Sequence, residues 1–237
     1  MRLAWAVFTR AARSGEVKTR LAASYGPQAA LLVHRCLLRR TLATVGTLAG
    51  EHVLWTAAEA DPWTRRLARG RGWTLRLQEG EDLGARMAHA VKRHLADRDA
   101  VVLVGGDLPG LETGTLRAIA ESLLDARSPV VFLPACDGGY GALGLRRPSP
   151  PLLEALFVGI PWGTSSVLEM SLSALRAREC TPVLLPPIAE WDRPEDIAAL
   201  GPVLPRPLVR RLVVASDGGV TAPRVKRGWP VMAVEKP

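Results

Sequence analysis

Four short stretches of the chain contain glycines, charged side chains or both, and each follows a segment that is typical of a buried strand. They are TRAARSGEVKTR at 9–20, GGDLP at 105–109, DGGY at 137–140 and EWD at 190–192. Glycine lets the backbone approach a ligand closely, carboxylates bind hard cations, and lysine and arginine neutralise phosphate. These residue types favour chemistry on a phosphate-containing ligand assisted by Mg²⁺ or Mn²⁺.

The segment 9–20 is the candidate phosphate loop. Gly15 permits close backbone approach, while Lys18 and Arg20 could neutralise a triphosphate, the lysine as a point charge and the arginine as a fork. The Walker A pattern GxxxxGK[ST] is absent. From spacing alone, a solvated basic loop explains the segment equally well.

Asp107 is the candidate metal ligand, because an acidic residue directly after a buried strand is well placed to hold Mg²⁺ or Mn²⁺ against phosphate oxygens. The competing interpretation is an N-cap for the helix that follows Pro109. The position of Asp107 at a strand end favours the metal.

Two further carboxylate segments are more ambiguous. Asp137 precedes two glycines and Tyr140, which could stack or hydrogen-bond, but a plain turn is the simpler interpretation. Asp192 could complete a metal site with Asp107, but it also resembles the N-cap of a helix starting at Pro194.

Smaller candidates follow the third predicted strand and precede a later helix. Gln78 and Arg86 could reach a base or a phosphate, whereas Asp82 is typical of a helix cap. Thr164 lies at a predicted helix N-terminus that could hold an anion, with Trp162 as a wall of an acceptor site. A capped helix and a packed tryptophan are the alternative.

The elements that must position these residues alternate along the chain. Apolar runs predict strands at 3–8, 52–57, 73–77, 100–104, 130–133, 142–145 and 182–185; helices are predicted at 27–48, 62–69, after 82, and at 112–125, 164–178 and 194–200. This rhythm predicts a mainly parallel sheet with helices on both faces. Such sheets bind ligands beyond the carboxyl ends of their strands.

Composition narrows the class of protein. The chain has 237 residues, enough for one large α/β domain, and a net charge of +8 that suits an anionic ligand. Its arginines are scattered along helices, which favours general surface charge over a nucleic-acid face. Three widely separated cysteines predict no disulfide framework and suit a reducing cytoplasm. No stretch is long enough to cross a membrane, and the four histidines lack metal-binding spacing, so we expect them on the surface or in the core.

Five segments in order resemble the motifs of the DUF2064 family: VFTRAARSGEVKTRLA, LQEGEDLGARM, VGGDLPGL, DGGYGALGL and FVGIPWGTSSVLE. The resemblance spans residues 3–200. It implies a GT-A (Rossmann-like) fold, a three-layer α/β/α sandwich with a mainly parallel mixed sheet, over 1–203. Residues 204–237 would be a basic C-terminal extension, with a hairpin as one option. The family is similar to molybdenum-cofactor and phospholactate guanylyltransferases and is often labelled as arsenosugar-biosynthesis glycosyltransferases.

By matching motif positions, the resemblance implies a nucleotide in the first half and an acceptor in the second. The nucleotide would meet Arg10, Gly15, Lys18, Arg20, Gln78 and Arg86; the acceptor would meet Gly138, Gly139, Tyr140, Trp162 and Thr164; the metal would meet Asp107 and Asp192; and catalysis would fall to Lys18, Arg20, Asp107 and Asp137. The cofactor would be Mg²⁺ or Mn²⁺.

The chain departs from the family pattern at three places. The usual Ala-Lys-Ala-Pro is Thr-Arg-Ala-Ala at 9–12, Pro-Gly becomes Ser-Gly at 14–15, and Asp-Val-Asp becomes Glu-Trp-Asp at 190–192. Arg10 keeps the charge of the family lysine, but the rigidity of the loop is in question. An altered substrate is compatible with these changes.

The leading hypothesis is an Mg²⁺-dependent transferase that acts on a nucleotide-activated donor and a small-molecule acceptor. It would transfer a nucleotidylyl group from a nucleoside triphosphate to a phosphate or phosphonate, or a sugar from a nucleoside-diphosphate sugar. The alternative is a non-catalytic nucleotide or nucleic-acid binding protein. We expect a cytoplasmic protein without membrane or nucleic-acid partners, and the sequence leaves a homodimer open.

Overall fold

The computed structural model describes residues 1–125 and 128–188, and its described part is a mixed sheet flanked by helices. The strands are β1 Leu3–Thr9, β2 Glu51–Thr56, β3 Thr74–Leu77, β4 Ala100–Gly105, β5 Val130–Pro134, β6 Tyr140–Leu145 and β7 Val183–Leu184. The helices are α1 Thr19–Tyr25, α2 Pro27–Val45, α3 Pro62–Arg69, α4 Leu83–Leu95, α5 Thr113–Leu124, α6 Pro150–Phe157 and α7 Val167–Arg176.

The sheet has the order β3-β2-β1-β4-β6-β5-β7, and β6 is antiparallel to both of its neighbours, β4 and β5. The other pairs are parallel. The predicted mainly parallel mixed sheet is therefore confirmed. Successive strands run outwards from β1 to β2 and β3, and β4 then pairs on the other side of β1. This reversal opens a crevice beyond the carboxyl ends of β1 and β4, where ligands bind in such sheets.

Burial on both faces explains the continuous apolar strands. Strands β1 and β4 are buried almost throughout, as expected for a sheet covered by helices on each side. Leu38 and Leu42 of α2 pack on one face with α3 and α5. Met87 and Val91 of α4 pack on the other face with α6 and α7. The prediction of helices on both faces is thus confirmed.

Two helices were not predicted. Helix α1 begins at Thr19, inside the segment predicted as a loop. Helix α6 begins with prolines, which are typical of turns as well as of the first turn of a helix. Two predicted helix boundaries differ from the observed ones by three residues. The helix predicted from 164 begins at Val167 because Gly163, with φ of 82°, makes a turn, and α2 ends at Val45 instead of 48 because Gly46 caps it.

Some predictions lie outside the described residues. These are the helix at 194–200, the extension 204–237 and the carboxylate of Asp192. Within the described part, no helix has the length and apolar character needed to span a bilayer.

Close packing between α5 and β6 gives a test of the fold. A Cβ at Gly144 would lie 2.8 Å from Ile119 Cγ2 and 3.1 Å from Leu123 Cδ1. We expect Gly144→Val to lower the free energy of unfolding by about 1–3 kcal/mol through overpacking, measured by urea denaturation. The control Gly114→Ala, at an α5 position with open space, should cause no loss because alanine favours helix. Equal stability of the two variants would contradict the described packing.

Candidate functional site

A cleft of about 780 Å³ lies beyond the carboxyl ends of β1 and β4. It collects most of the predicted site residues: Arg10, Lys18, Arg20, Gln78, Arg86, Asp107, Asp137, Gly139, Tyr140, Trp162 and Thr164. Gly15 and Gly138 do not border it, and Asp192 lies outside the described residues. Residues that are far apart in sequence are therefore neighbours on one surface.

The floor of the cleft holds an ion pair between Lys18 and Asp107. The Nζ atom of Lys18 lies 2.6 Å from Oδ2 of Asp107. The lysine side chain is only 4% exposed, while 41% of the aspartate side chain remains exposed. Lys18 adopts the left-handed region, with φ of 47° and ψ of 49°, at the N-cap of α1. A buried ammonium thus faces a carboxylate that a ligand can still reach.

The ends of β1 and β4 fix the position of Asp107. The N–H of Gly106 donates to the carbonyl oxygen of Phe8 at 2.8 Å, which keeps the two strands paired up to the cleft. A Cβ at Gly106 would lie 2.8 Å from the same oxygen, so only glycine permits this approach. The N-cap of α5 is Glu112, so the interpretation of Asp107 as the cap of that helix is wrong.

Asp107 is ionised at neutral pH. Burial alone would raise the pKa of its carboxyl, but the charge and hydrogen bond of the Lys18 ammonium hold the pKa below its ordinary value, with further help from His34 and Arg10. The site therefore presents a negative charge that is offset by fixed positive groups.

Asp61, the N-cap of α3, anchors the loop between β1 and α1. Its carboxylate accepts hydrogen bonds from the N–H groups of Ala12 at 3.1 Å, Trp63 at 3.0 Å and Thr64 at 3.2 Å. Arg35 lies 3.7 Å from the same carboxylate, donates to the carbonyl of Ala12 at 3.4 Å and stacks over Trp63 at 5.0 Å. These contacts hold the loop in place without the family's proline.

His34 is a residue of the cleft that the sequence did not single out. It is buried, and its Nε2 lies 3.4 Å from Oγ1 of Thr9. Burial lowers the pKa of His34, although nearby Asp107 acts in the opposite direction. The available signal was its position between Leu31 and Leu38, where helical spacing predicts an apolar side chain on α2.

Gln78 joins the ends of β1 and β2. Its Nε2 donates to the carbonyl oxygens of Thr9 at 3.2 Å and Trp55 at 3.0 Å. The amide nitrogen is thus used for positioning, which leaves the amide oxygen to meet a ligand. Arg86 lies nearby on α4, where its Nε donates to the carbonyl of Gly80 at 3.0 Å.

The predicted acceptor side is an aromatic wall. The rings of Phe132 and Tyr140 are 5.0 Å apart, and Trp162 meets Tyr140 edge-on at 6.3 Å. A Cβ on Gly84 would lie 2.3 Å from Nε1 of Trp162, so this glycine provides the space for the indole. Burial raises the pKa of Tyr140, whose phenol stays neutral. Neither the Tyr140 hydroxyl nor the Trp162 N–H has a hydrogen-bond partner among the described residues.

The DGGY segment forms a turn that lies against α7. Oδ1 of Asp137 accepts the N–H of Gly139 at 2.9 Å, and the Gly138 carbonyl accepts the N–H of Leu168 at 3.0 Å. Gly138 has φ of 91°, and a Cβ there would lie 2.0 Å from the Ser165 carbonyl oxygen. The turn interpretation is therefore confirmed, while the exposed Asp137 still borders the cleft.

The donor set fits a cation that brings its own oxygen ligands. The described residues contain no group of three or more His, Cys, Asp or Glu side chains able to hold a metal. Mg²⁺ is commonly held by one or two carboxylates together with substrate phosphates and waters. Oδ2 of Asp107 already accepts the Lys18 ammonium at 2.6 Å, and 41% of the aspartate side chain remains exposed to a ligand. The cleft thus suits a metal that arrives with a polyphosphate.

Comparison with known proteins agrees with this architecture. The model of DUF2064, described as an uncharacterized protein conserved in bacteria, matches residues 41–164. A candidate nucleotide-diphospho-sugar transferase from Desulfovibrio desulfuricans G20 has a TM-score of 0.77 and 22% identity, covering 92% of this chain and 96% of that one. A cytidylyltransferase from Leptospira borgpetersenii has a TM-score of 0.54 and 16% identity, covering 92% and 95%.

A third solved structure, 4-diphosphocytidyl-2C-methyl-D-erythritol synthase, has a TM-score of 0.53 and 15% identity, covering 86% of this chain and all of that chain. No curated protein sequence matches. At these identities the similarity establishes a shared fold, that of the nucleotide-diphospho-sugar transferases.

The loop anchor predicts a pH-dependent contribution to stability. The pKa of Asp61 is lowered: burial would raise it, but hydrogen bonds from Thr64, Ala12 and Trp63 outweigh that effect. A carboxyl with a depressed pKa stabilises the fold above its unfolded pKa of about 3.9 and stops doing so as the pH falls through the folded value. We expect Asp61→Asn to lower the free energy of unfolding by about 1–3 kcal/mol at pH 7.

The measurement is urea denaturation of both proteins at pH 7 and below about pH 4, where the difference should shrink. The control is Glu59→Gln, since Glu59 is 77% exposed and should matter little. A difference that is unchanged in acid would show that the charge of Asp61 does not anchor the loop.

Proposed function

The chain belongs to the DUF2064 family, and we propose that it is a metal-dependent transferase that uses a nucleotide-activated donor. The observation that carries the proposal is the 2.6 Å pair of Lys18 and Asp107 on the floor of the cleft. It combines a phosphate-binding cation with a metal-binding carboxylate at the point where the strand order reverses.

The positive groups around this pair define the donor side. Arg10, Arg20 and Arg86 border the same cleft as Lys18. Arginine binds phosphate oxygens as a fork and lysine as a point charge, so the four cations suit a polyphosphate chain. The amide oxygen of Gln78 could accept a hydrogen bond from the base or ribose.

Asp107 would hold Mg²⁺ or Mn²⁺ together with the donor phosphates. When bound, the cation would offset the negative charge that develops on the leaving group. The residues of the chain supply orientation: Lys18 and the arginines fix the phosphates, and the aromatic wall excludes water from the acceptor side. Catalysis would then be positioning and electrostatic stabilisation.

We favour nucleotidylyl transfer. An oxygen of an acceptor phosphate or phosphonate would attack the α-phosphorus of a nucleoside triphosphate and form a new P–O bond. The bond from that phosphorus to the β-bridging oxygen would break, and pyrophosphate would leave with the electron pair. The acceptor oxygen is already anionic and needs no base. The cluster of cations supports this version because a triphosphate is more highly charged than a sugar nucleotide.

Glycosyl transfer is the second candidate, because the Desulfovibrio structure with the same fold is described as a candidate nucleotide-diphospho-sugar transferase. In this version the metal site would hold the leaving nucleoside diphosphate. Asp137, exposed at the cleft edge, would take the proton of an acceptor hydroxyl. A non-catalytic nucleotide or nucleic-acid binder would have the same cations but no turnover.

The experiment supplies the full chain with Mg²⁺, separate panels of nucleoside triphosphates and sugar nucleotides, and phosphate, phosphonate and hydroxyl acceptors. Release of pyrophosphate identifies nucleotidylyl transfer, and release of nucleoside diphosphate identifies glycosyl transfer. Metal-dependent donor binding is found first from the rise in thermal stability. Binding of random nucleic acid that weakens with salt and persists in Asp107→Asn would instead support the binding protein.

Asp107→Asn should lower kcat/KM by about 10²-fold or more, because the amide cannot replace the negative charge that the proposed metal requires. The control is Asp97→Asn, since Asp97 is exposed and does not border the cleft. Equal loss in both variants, or undiminished activity in Asp107→Asn, would refute the proposed role of this carboxylate.

A further inference from the structure

The aromatic wall contains two polar atoms that the folded chain leaves unpaired. The hydroxyl oxygen of Tyr140 and Nε1 of Trp162 are both buried, and neither has a hydrogen-bond partner in the described part of the chain. Buried tyrosine hydroxyls and tryptophan N–H groups ordinarily have one. Both exceptions lie on rings that meet edge-on, with centroids 6.3 Å apart. The two unpaired groups therefore belong to one local arrangement.

This arrangement belongs to the cleft and not to the closed core. The side chains of Tyr140 and Trp162 both border the cleft that holds Lys18 and Asp107. Glycines flank Tyr140 on both sides, and a glycine also follows Trp162. Glycine neighbours leave the backbone free to allow the small ring rotations that bring the O–H and N–H groups to a ligand.

We propose that the Tyr140 hydroxyl and the Trp162 N–H bind oxygen atoms of the acceptor, and that the acceptor joins a phosphate or phosphonate group to a flat apolar body. The inference rests on the proposed function, to which it adds the chemical class of the acceptor and two residues that select it.

The chemistry of the two groups defines their partner. The indole N–H of Trp162 can only donate a hydrogen bond. Burial raises the pKa of Tyr140, so its phenol keeps the proton and donates as well. Two donors require acceptor atoms, and hydrogen bonds to the oxygens of an anion are stronger than those between neutral groups. A phosphonate has three oxygens, so two can accept these bonds while the third is oriented for attack.

The surroundings of the two donors favour an apolar body on the acceptor. Leu83, Met87 and Val167 border the same cleft. Leu83 is 42% exposed although it is apolar, and Gly84 beside it leaves the space that the Trp162 indole occupies. Small-molecule sites commonly combine apolar and aromatic walls with a few polar groups that fix the orientation of the ligand.

The unpaired hydroxyl has opposite effects on stability and on binding. A buried hydroxyl without a partner destabilises the ligand-free protein, because it has given up its hydrogen bonds to water. An acceptor oxygen that pairs with the hydroxyl removes this cost. The same group therefore lowers the stability of the free protein and raises its affinity for the acceptor. A hydroxyl with a structural partner would instead stabilise the free protein.

Tyr140→Phe tests the stability effect, because it removes only the hydroxyl. It should raise the Tm of the ligand-free full chain by about 2–4 °C, measured by differential scanning calorimetry. A Tm below that of the wild-type protein would overturn the proposal, because it would show that the hydroxyl is already paired in the free protein.

Binding is measured by titration calorimetry with phenylphosphonate, which carries three oxygens on a flat ring, and with inorganic phosphate, which lacks the ring. The wild-type protein should bind phenylphosphonate about tenfold more tightly than phosphate, because the ring buries apolar surface. Tyr140→Phe and Trp162→Phe should each lower the phenylphosphonate affinity by about tenfold. The phosphate affinity should change by less than about twofold, because the cations of the cleft bind phosphate without the wall.

The matched control is Tyr25→Phe, the same change at the last residue of α1, which does not border the cleft. It should leave the phenylphosphonate affinity unchanged. An equal loss in Tyr25→Phe and Tyr140→Phe, or an unchanged affinity in Tyr140→Phe, would overturn the assignment of the Tyr140 hydroxyl. Wild-type protein that binds phenylphosphonate no better than phosphate would overturn the proposed class of acceptor.

Failure of this inference is distinguishable from failure of the proposed function. If the wild-type protein consumes donor in an Asp107-dependent way but Tyr140→Phe changes neither the Tm nor the phenylphosphonate affinity, the two donors are wrongly assigned and the function stands. If Tyr140→Phe gives both expected changes but no donor is consumed with any acceptor, the wall binds oxygen ligands and the proposed function fails.

Discussion

The attraction between Lys18 and Asp107 is the interaction on which the site depends. One residue comes from the loop after β1 and the other from the end of β4, so their contact requires both strands to end at the same level. The close approach at Gly106 fixes that level through its hydrogen bond to Phe8. The core, with its continuous apolar strands, is therefore the support that brings a buried ammonium and a carboxylate within 2.6 Å.

The sequence predicted the layers well because strands that are buried on both faces are continuous apolar runs. Strand β4 is an uninterrupted apolar run, and α3 was predicted over its observed residues. Asp82 was predicted as a cap, and it accepts the N–H of Ala85. Prediction failed where local signals conflict with context. Helix α6 begins with prolines, and α1 is short and follows a residue in the left-handed region.

The sequence predicted which residues share the cleft, but it predicted few of the individual contacts that they make. Motif order and strand ends indicated that Lys18 and Asp107 share a cleft, and the parallel topology brings them together. No local pattern could reveal that Asp61 holds the loop from 49 residues away. The apolar spacing around His34 predicts that it is buried on α2 but not that it borders the cleft. Such contacts depend on the packing of whole elements, which one sequence does not encode locally.

Strand β6 is antiparallel to its neighbours, and the two sides of the cleft come from different parts of the chain. The cationic side comes from parallel strand–helix units in the first 107 residues, while the aromatic wall comes mainly from the later hairpin and the turn before α7. Mutations within that later stretch could change which acceptor the aromatic wall recognises. The charges on the cationic side of the cleft would stay the same. The small-molecule partner could therefore differ among relatives through changes in one continuous stretch of the chain.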